Sequence, residues 1–150
     1  MLTLSSIAEM RSLAGTTLGV SPWHEVTLER IRAFADATED FEAIHLDQAA
    51  ARRQGFPGVI AHGLYTLSLG PKLMMQIYQM PHFSNAVNYG YDRVRFTTPA
   101  VAGCSIRLRL DMVSADQFAD RTRFLFRQTF EIDGAAKPAC VAEFVSVYYD

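Results

Sequence analysis

The sequence predicts a single α+β domain in which a long central helix faces a curled antiparallel β-sheet. Three observations lead to this class. The chain has 150 residues, which suits one domain. Residues 1–80 carry apolar side chains at helical spacing, whereas residues 85–149 alternate apolar and polar side chains as strands do. Helices followed by a run of strands are typical of an α+β domain with an antiparallel sheet.

The composition supports a folded domain that needs no disulfide. Hydrophobic residues make up 49% of the chain and charged residues 20%, far from the composition of disordered proteins. A net charge of −2 argues against nucleic acid or a membrane surface as the main partner. The start lacks the basic region of a signal peptide, and no run approaches the roughly 20 apolar residues of a membrane span. We therefore expect a cytoplasmic protein.

Local signals define the first helices. Residues 2–13 predict a short amphipathic helix within an N-terminal extension of residues 1–20. Thr27 can cap a second helix that ends near residue 37, and Asp47 can cap a third over residues 48–53.

The next helix is predicted to be the central one. From Ala61 to about Met80, apolar residues cover nearly every direction around the helix axis, which is typical of a helix buried on most sides. Gly70 and Pro71 predict a kink or an interruption, because proline has no backbone N–H to donate.

Alternation then predicts four strands, each with one buried face. Turns are expected at residues 114–120 and 133–134. The strands are expected near residues 85–96, 106–113, 123–132 and 139–149. A buried helix against a curled antiparallel sheet is the hot-dog architecture, and periodicity makes it the leading candidate.

The loop after the second helix contains an acid and a histidine that can work together. Asp40 and His45 lie five residues apart on irregular backbone between helices, so their side chains can converge on one water. The reference pKa of histidine, about 6.5, suits proton transfer near neutral pH. Aspartate and histidine are also common in loops without any catalytic role, so the pair alone leaves both interpretations open.

A second motif leads into the central helix. Residues 57–63 read PGVIAHG, and the first N–H groups of a helix lack an intrahelical partner. Gly63 has no side chain to block a carbonyl oxygen, so its N–H can stabilise an oxyanion or enolate. Alternatively, Gly63 permits close packing and His62 satisfies a buried polar group.

Together these motifs resemble the MaoC-like, or (R)-specific enoyl-CoA hydratase, branch of the hot-dog proteins. Residues 38–45, TEDFEAIH, match the family loop at the aspartate and the histidine, and residues 57–64, PGVIAHGL, match closely. The later segments 88–99 and 137–143 look like the nodulation-protein-N-like subgroup. The resemblance covers about residues 22–149.

The resemblance implies an activity and a site. Asp40 and His45 are expected to be the catalytic pair, and the Gly63 N–H the donor to the thioester oxygen. His62 and Glu42 are expected beside them as substrate-binding residues. Water would add reversibly across a trans-2-enoyl thioester, carried on CoA or acyl carrier protein, to give a (3R)-hydroxyacyl product. The family works without a cofactor, as a homodimer or dimer of dimers with its active site at the subunit interface.

Two departures keep other functions open. The family asparagine and proline are Glu42 and Ala43 here, and an ionised glutamate only accepts hydrogen bonds. One alternative is a non-catalytic acyl-thioester-binding protein that drifted at these positions. The other is an acyl-CoA thioesterase, since a fold does not dictate its reaction.

The spacing of the histidines and the distribution of charge indicate less about function than these motifs do. His24, His45, His62 and His82 show no HxxxH-type spacing, so no metal site is predicted. Residues 93–127 hold seven arginines and three acids, a basic strand region that can meet CoA phosphates or an acidic carrier protein. Charges on the solvated face of amphipathic strands explain the same pattern.

Overall fold

The computed structural model describes residues 1–80 and 83–149, so His82 lies outside it. The long strands form one antiparallel sheet against which the helices pack. In chain order the elements are β1 (Leu2–Thr3), α1 (Ile7–Ser12), β2 (Thr17–Val20), β3 (His24–Glu25), α2 (Leu28–Thr38), a 3₁₀ helix (Ala43–His45), α3 (Gln48–Arg53), α4 (Gly63–Ser68), α5 (Gly70–Met74), β4 (Tyr78–Gln79), β5 (Asn85–Phe96), β6 (Ser105–Gln117), β7 (Arg121–Ile132) and β8 (Cys140–Tyr149).

The caps predicted for α2 and α3 are confirmed. The Thr27 hydroxyl accepts from the Arg30 N–H at 3.3 Å, and the Asp47 carboxylate accepts from two N–H groups at 2.7 and 3.1 Å. In the part of the chain that the structure describes, no helix is long and apolar enough to cross a membrane.

The first 20 residues are less helical than predicted. Helix α1 spans six residues, and the segment after it turns at Gly15, which has φ +84°, into strand β2. Strand β2 pairs with β6, and β1 pairs with β4. The edge of β6 offers backbone groups that need hydrogen-bond partners, and an extended segment satisfies them where a helix cannot.

The central helix is shorter than predicted and is divided in two. Helix α4 ends at Ser68, α5 begins at Gly70, and the helical segment ends at Met74 rather than near residue 80. The predicted interruption is confirmed, because Pro71 lies in the first turn of α5, where its missing N–H costs nothing.

The central segment is also less completely buried than its apolar pattern predicts. A Cβ on Gly70 would lie 3.0 Å from the side-chain amide of the fully buried Gln128, so this face packs tightly on the sheet. By contrast, the apolar residues Leu64 and Met75 are 61% and 68% exposed. The helical segment therefore leaves an apolar face uncovered.

The sheet follows the order β2-β6-β7-β8-β5, with β3 also paired to β6. The predicted alternation is confirmed in β7, where Phe124, Phe126 and Phe130 are fully buried. Strand β6 continues to Gln117 through a bulge near residue 113, so the turn predicted at 114–120 is confined to residues 118–120. Strand β5 forms one edge of the sheet and is largely exposed along its length.

Candidate active site

The loop after α2 brings an aspartate to the surface beside buried histidines. Glu39 adopts a left-handed conformation, φ 57°, which ends the helix and turns the chain. The side chain of Asp40 is 54% exposed, and its Oδ1 accepts from the Glu42 N–H at 3.3 Å. This local turn directs the Asp40 carboxylate back toward the start of α4.

His45 closes the short 3₁₀ helix and is buried, with 9% of its surface exposed. Its Nδ1 lies 2.7 Å from the Ile60 carbonyl oxygen. Because a carbonyl oxygen only accepts, Nδ1 carries the hydrogen and Nε2 of the neutral ring keeps a lone pair. The contact with Ile60 therefore selects the tautomer in which Nε2 can accept a proton.

His62 connects the loop to the helix. Its Nε2 donates to the Asp40 carbonyl oxygen at 3.0 Å, and its ring stacks on His45 with a centroid distance of 3.8 Å. The ring of Phe34 covers another side at 5.1 Å. Within residues 1–80 and 83–149, the buried Nδ1 of His62 has no hydrogen-bond partner. His62 thus contacts both members of the predicted pair.

These contacts bring Asp40, His45 and His62 together. A carboxylate oxygen and one nitrogen of each ring lie within 4.8 Å of one another. Two hydrogen bonds in series span about 5.6 Å, so a water can bridge the carboxylate and His45. A metal fits less well, because His45 Nδ1 and His62 Nε2 already donate to carbonyl oxygens, which leaves one nitrogen of each ring as a possible ligand.

A cavity of about 240 Å³ adjoins His45 and the first residue of α4. Its wall includes Gly63, Thr66 and Phe96, whereas Asp40 is not part of it. The Gly63 N–H has no hydrogen-bond partner among the residues described. A Cβ on Gly63 would lie 2.9 Å from the Phe96 ring, so only glycine fits here without moving that ring.

Not every predicted residue joins this group. The Glu42 side chain is exposed and makes no hydrogen bond to the residues that the structure describes, whereas its backbone N–H and carbonyl bond to Asp40 and His45. Thr66 and Phe96 were not predicted. Helical spacing from Gly63 is a signal for Thr66, whereas nothing in the sequence indicates that Phe96 of β5 covers that glycine.

The basic strand region is largely neutralised. Five of its seven arginines have a carboxylate oxygen within 4.0 Å: Arg93, Arg107, Arg109, Arg121 and Arg123. This pairing favours the interpretation that these are charges on the solvated face of the sheet.

Several known proteins are similar to this chain in sequence or in fold. Residues 9–129 match the MaoC like domain family. The chain is 38% identical over 149 residues to 3-hydroxyacyl-thioester dehydratase Z of Mycobacterium tuberculosis, with 99% of each chain covered. It is 37% identical to Nodulation protein N of Rhizobium meliloti, over 95% of this chain and 90% of that one. The (R)-hydratase from A. caviae involved in PHA biosynthesis superposes with a TM-score of 0.70 at 23% identity, covering 85% of this chain and 91% of that chain. This likeness concerns the fold alone and confirms the predicted hot-dog architecture.

Proposed function

The chain belongs to the MaoC-like domain family, and on this premise we propose that it is a hydratase/dehydratase of enoyl thioesters. It adds water reversibly across a trans-2-enoyl thioester, carried on CoA or acyl carrier protein, to give a (3R)-hydroxyacyl thioester. The observation that carries the proposal is the approach of Asp40 and His45, each with one polar side-chain atom within 4.8 Å of the other, beside a cavity that Gly63 lines; among the residues described, the Gly63 N–H has no hydrogen-bond partner.

Each group in the site has a task in this reaction. The His45 Nε2 lone pair takes a proton from the bridged water, while the Asp40 carboxylate accepts the other hydrogen and orients the oxygen toward C3. As the C3–O bond forms, the C2=C3 electrons move to the thioester oxygen, and the Gly63 N–H stabilises the enolate. The proton on His45 then passes to C2 and the carbonyl re-forms, so one water has been added overall.

His62 acts as a positioning residue. Its stacking on His45 and its hydrogen bond to the Asp40 backbone hold the two reacting side chains in register. Glu42 retains a backbone role in the same turn, and its exposed side chain makes no hydrogen bond to Asp40 or His45. The replacement of the family asparagine by Glu42 is therefore compatible with catalysis.

The working unit in this proposal is a homodimer or a dimer of dimers. Strand β5 is an exposed sheet edge that carries three large apolar side chains: Val87, Tyr89 and Phe96, 39%, 73% and 49% exposed. An unpaired edge of this kind can continue its hydrogen bonding into a second copy. Because Phe96 also covers Gly63, pairing through β5 would set the site at the subunit interface.

A cytoplasmic location is part of the proposal. Cys104 and Cys140 are both free thiols, and free thiols are usual in a reducing compartment.

The test follows the conjugated absorbance of short and medium trans-2-enoyl-CoAs. Asp40→Asn and His45→Gln are expected to lower kcat by about 10²–10⁴, the range for losing a general acid–base group. Asp36→Asn, the same change at an exposed position of α2, is the matched control and is expected to retain activity.

Three results would contradict the proposal. If either site variant hydrates as fast as the unmodified protein, the assigned pair is wrong. Stabilisation by acyl-CoA without turnover would indicate a binding protein instead. Release of free thiol from saturated acyl-CoA would indicate a thioesterase.

A further inference from the structure

A second polar cluster lies on the side of α4 that faces α2. His24 of β3 is 7% exposed and Tyr65 of α4 is 6% exposed. The cluster also contains two cationic side chains, Arg30 of α2 and Lys72 of α5, and both of these residues are exposed. The Arg30 guanidinium lies 3.0 Å from His24 Nε2, and the Lys72 ammonium lies 3.2 Å from Nδ1.

This arrangement leaves hydrogen bonds unsatisfied. A neutral imidazole has one donor and one acceptor nitrogen, whereas both nitrogens of His24 face a cation that can only donate. The Tyr65 hydroxyl, 3.3 Å from Nε2, can serve either role and does not remove the conflict. In either tautomer, one cationic donor points at an imidazole N–H.

The charge of the cluster is uncompensated as well. In the described portion of the chain, neither Arg30 nor Lys72 has a carboxylate oxygen within 4.0 Å. The pKa of His24 is lowered mainly by burial and further by the positive charges of Lys72 and Arg30, so the ring stays neutral. Two positive charges from different helices therefore converge on one buried residue.

We propose that His24, Arg30, Lys72 and Tyr65 form a binding site for a phosphate group, separate from the Asp40–His45 site. A phosphate carries up to two negative charges and several acceptor oxygens, which match two cations and the neighbouring hydroxyl. It would accept from both Arg30 and Lys72 and free the imidazole to form one favourable hydrogen bond. The site differs from the basic strand region, where most arginines already have acidic partners.

The ring of Phe34 separates this cluster from the catalytic residues. Phe34 packs against Tyr65 at 5.7 Å and against His62 at 5.1 Å. The phosphate site is therefore a distinct site whose existence does not depend on the hydratase activity. The phosphate can belong to a nucleotide, such as that of a thioester carrier, or to free inorganic phosphate.

The experiment is a titration of the full chain with inorganic phosphate at constant ionic strength, followed by NMR of the histidine imidazole nitrogens. The His24 signals are expected to shift saturably toward the protonated form, because a bound anion favours the charged ring. The signals of His45 and His62 are expected to stay unchanged. A parallel titration with 3′,5′-ADP separates the two sources, since tighter binding than inorganic phosphate indicates a nucleotide and equal binding indicates the free anion.

Three variants test the residues. Arg30→Gln and Lys72→Gln are each expected to weaken phosphate binding about tenfold or more, the value of one charge-assisted hydrogen bond. Arg32→Gln removes the same charge from an exposed position of α2 that is not among the hydrogen-bond partners of His24 in the described residues, and it is expected to change binding less than about twofold. The proposal is overturned if the His24 signals do not respond to phosphate or 3′,5′-ADP. It is equally overturned if Arg32→Gln weakens binding as much as Arg30→Gln does.

Discussion

Replacing Gly63 by alanine tests whether the start of α4 receives a substrate oxygen or merely packs against β5. The added methyl carbon would lie 2.9 Å from three atoms of the Phe96 ring, so the ring must retreat by about 0.5 Å to restore an ordinary contact. The added methyl group and the displaced Phe96 ring would then both occupy the edge of a cavity of only about 240 Å³. The change therefore obstructs the space in front of the Gly63 N–H without removing the N–H itself.

The expected loss of activity is the same size as that caused by removing an oxyanion donor. Removing one such donor costs about 10²–10³ in kcat, or roughly 2.7–4 kcal/mol of transition-state stabilisation. The stability of the protomer should change little, because its Phe96 ring is 49% exposed and can move aside. A fall in kcat/KM of this size with a nearly unchanged Tm is the predicted result.

The matched control is Gly70→Ala. A Cβ there would lie 3.0 Å from the amide atoms of Gln128, which is fully buried and cannot retreat. Overpacking of about 1–3 kcal/mol outweighs the helix propensity gained, about 1 kcal/mol. This variant should therefore melt earlier yet retain its kcat/KM per folded molecule.

The measurements are hydration rates and thermal unfolding of both variants. Unmodified kcat/KM in Gly63→Ala would refute the role of its N–H. An equal loss in both variants would show that any disturbance of the helical segment impairs the enzyme, and the assignment of Gly63 would lose its support.

Three further predictions concern stability and assembly. Glu39→Gly should raise stability by about 0.5–1 kcal/mol in urea unfolding, because the left-handed conformation strains a glutamate and not a glycine; lower stability would contradict this. Tyr89→Lys should produce a monomer in sedimentation experiments, whereas Phe118→Lys, at an exposed turn, should not; identical behaviour would argue against pairing through β5. Burial raises the pKa of Cys140 from 9.0 to about 11, so the thiol ionises in the unfolded chain first and stability should fall as pH rises from about 9 to about 11. Cys140→Ala should flatten that decline, and parallel pH profiles would contradict the assignment.

The sequence predicted secondary structure correctly where the groups that determine it lie close together along the chain. The cap at Thr27 and the interruption at Pro71 depend on groups within one helical turn, and both are confirmed. Prediction worked less well where a distant partner decides the outcome. Residues 17–20 form a strand because the edge of β6 is available to pair with them.

The sequence by itself determined the strand alternation, the helix caps and the spacing of Asp40, His45 and Gly63, because these depend on neighbours along the chain. Only the tertiary structure decided what surrounds them. Docking of α4 against the loop stacks His62 on His45, and the path of β5 brings Phe96 over Gly63. The same packing sets Lys72 against His24, 48 residues earlier in the chain. Such contacts follow from how helices and strands meet in space, which no short segment of sequence encodes.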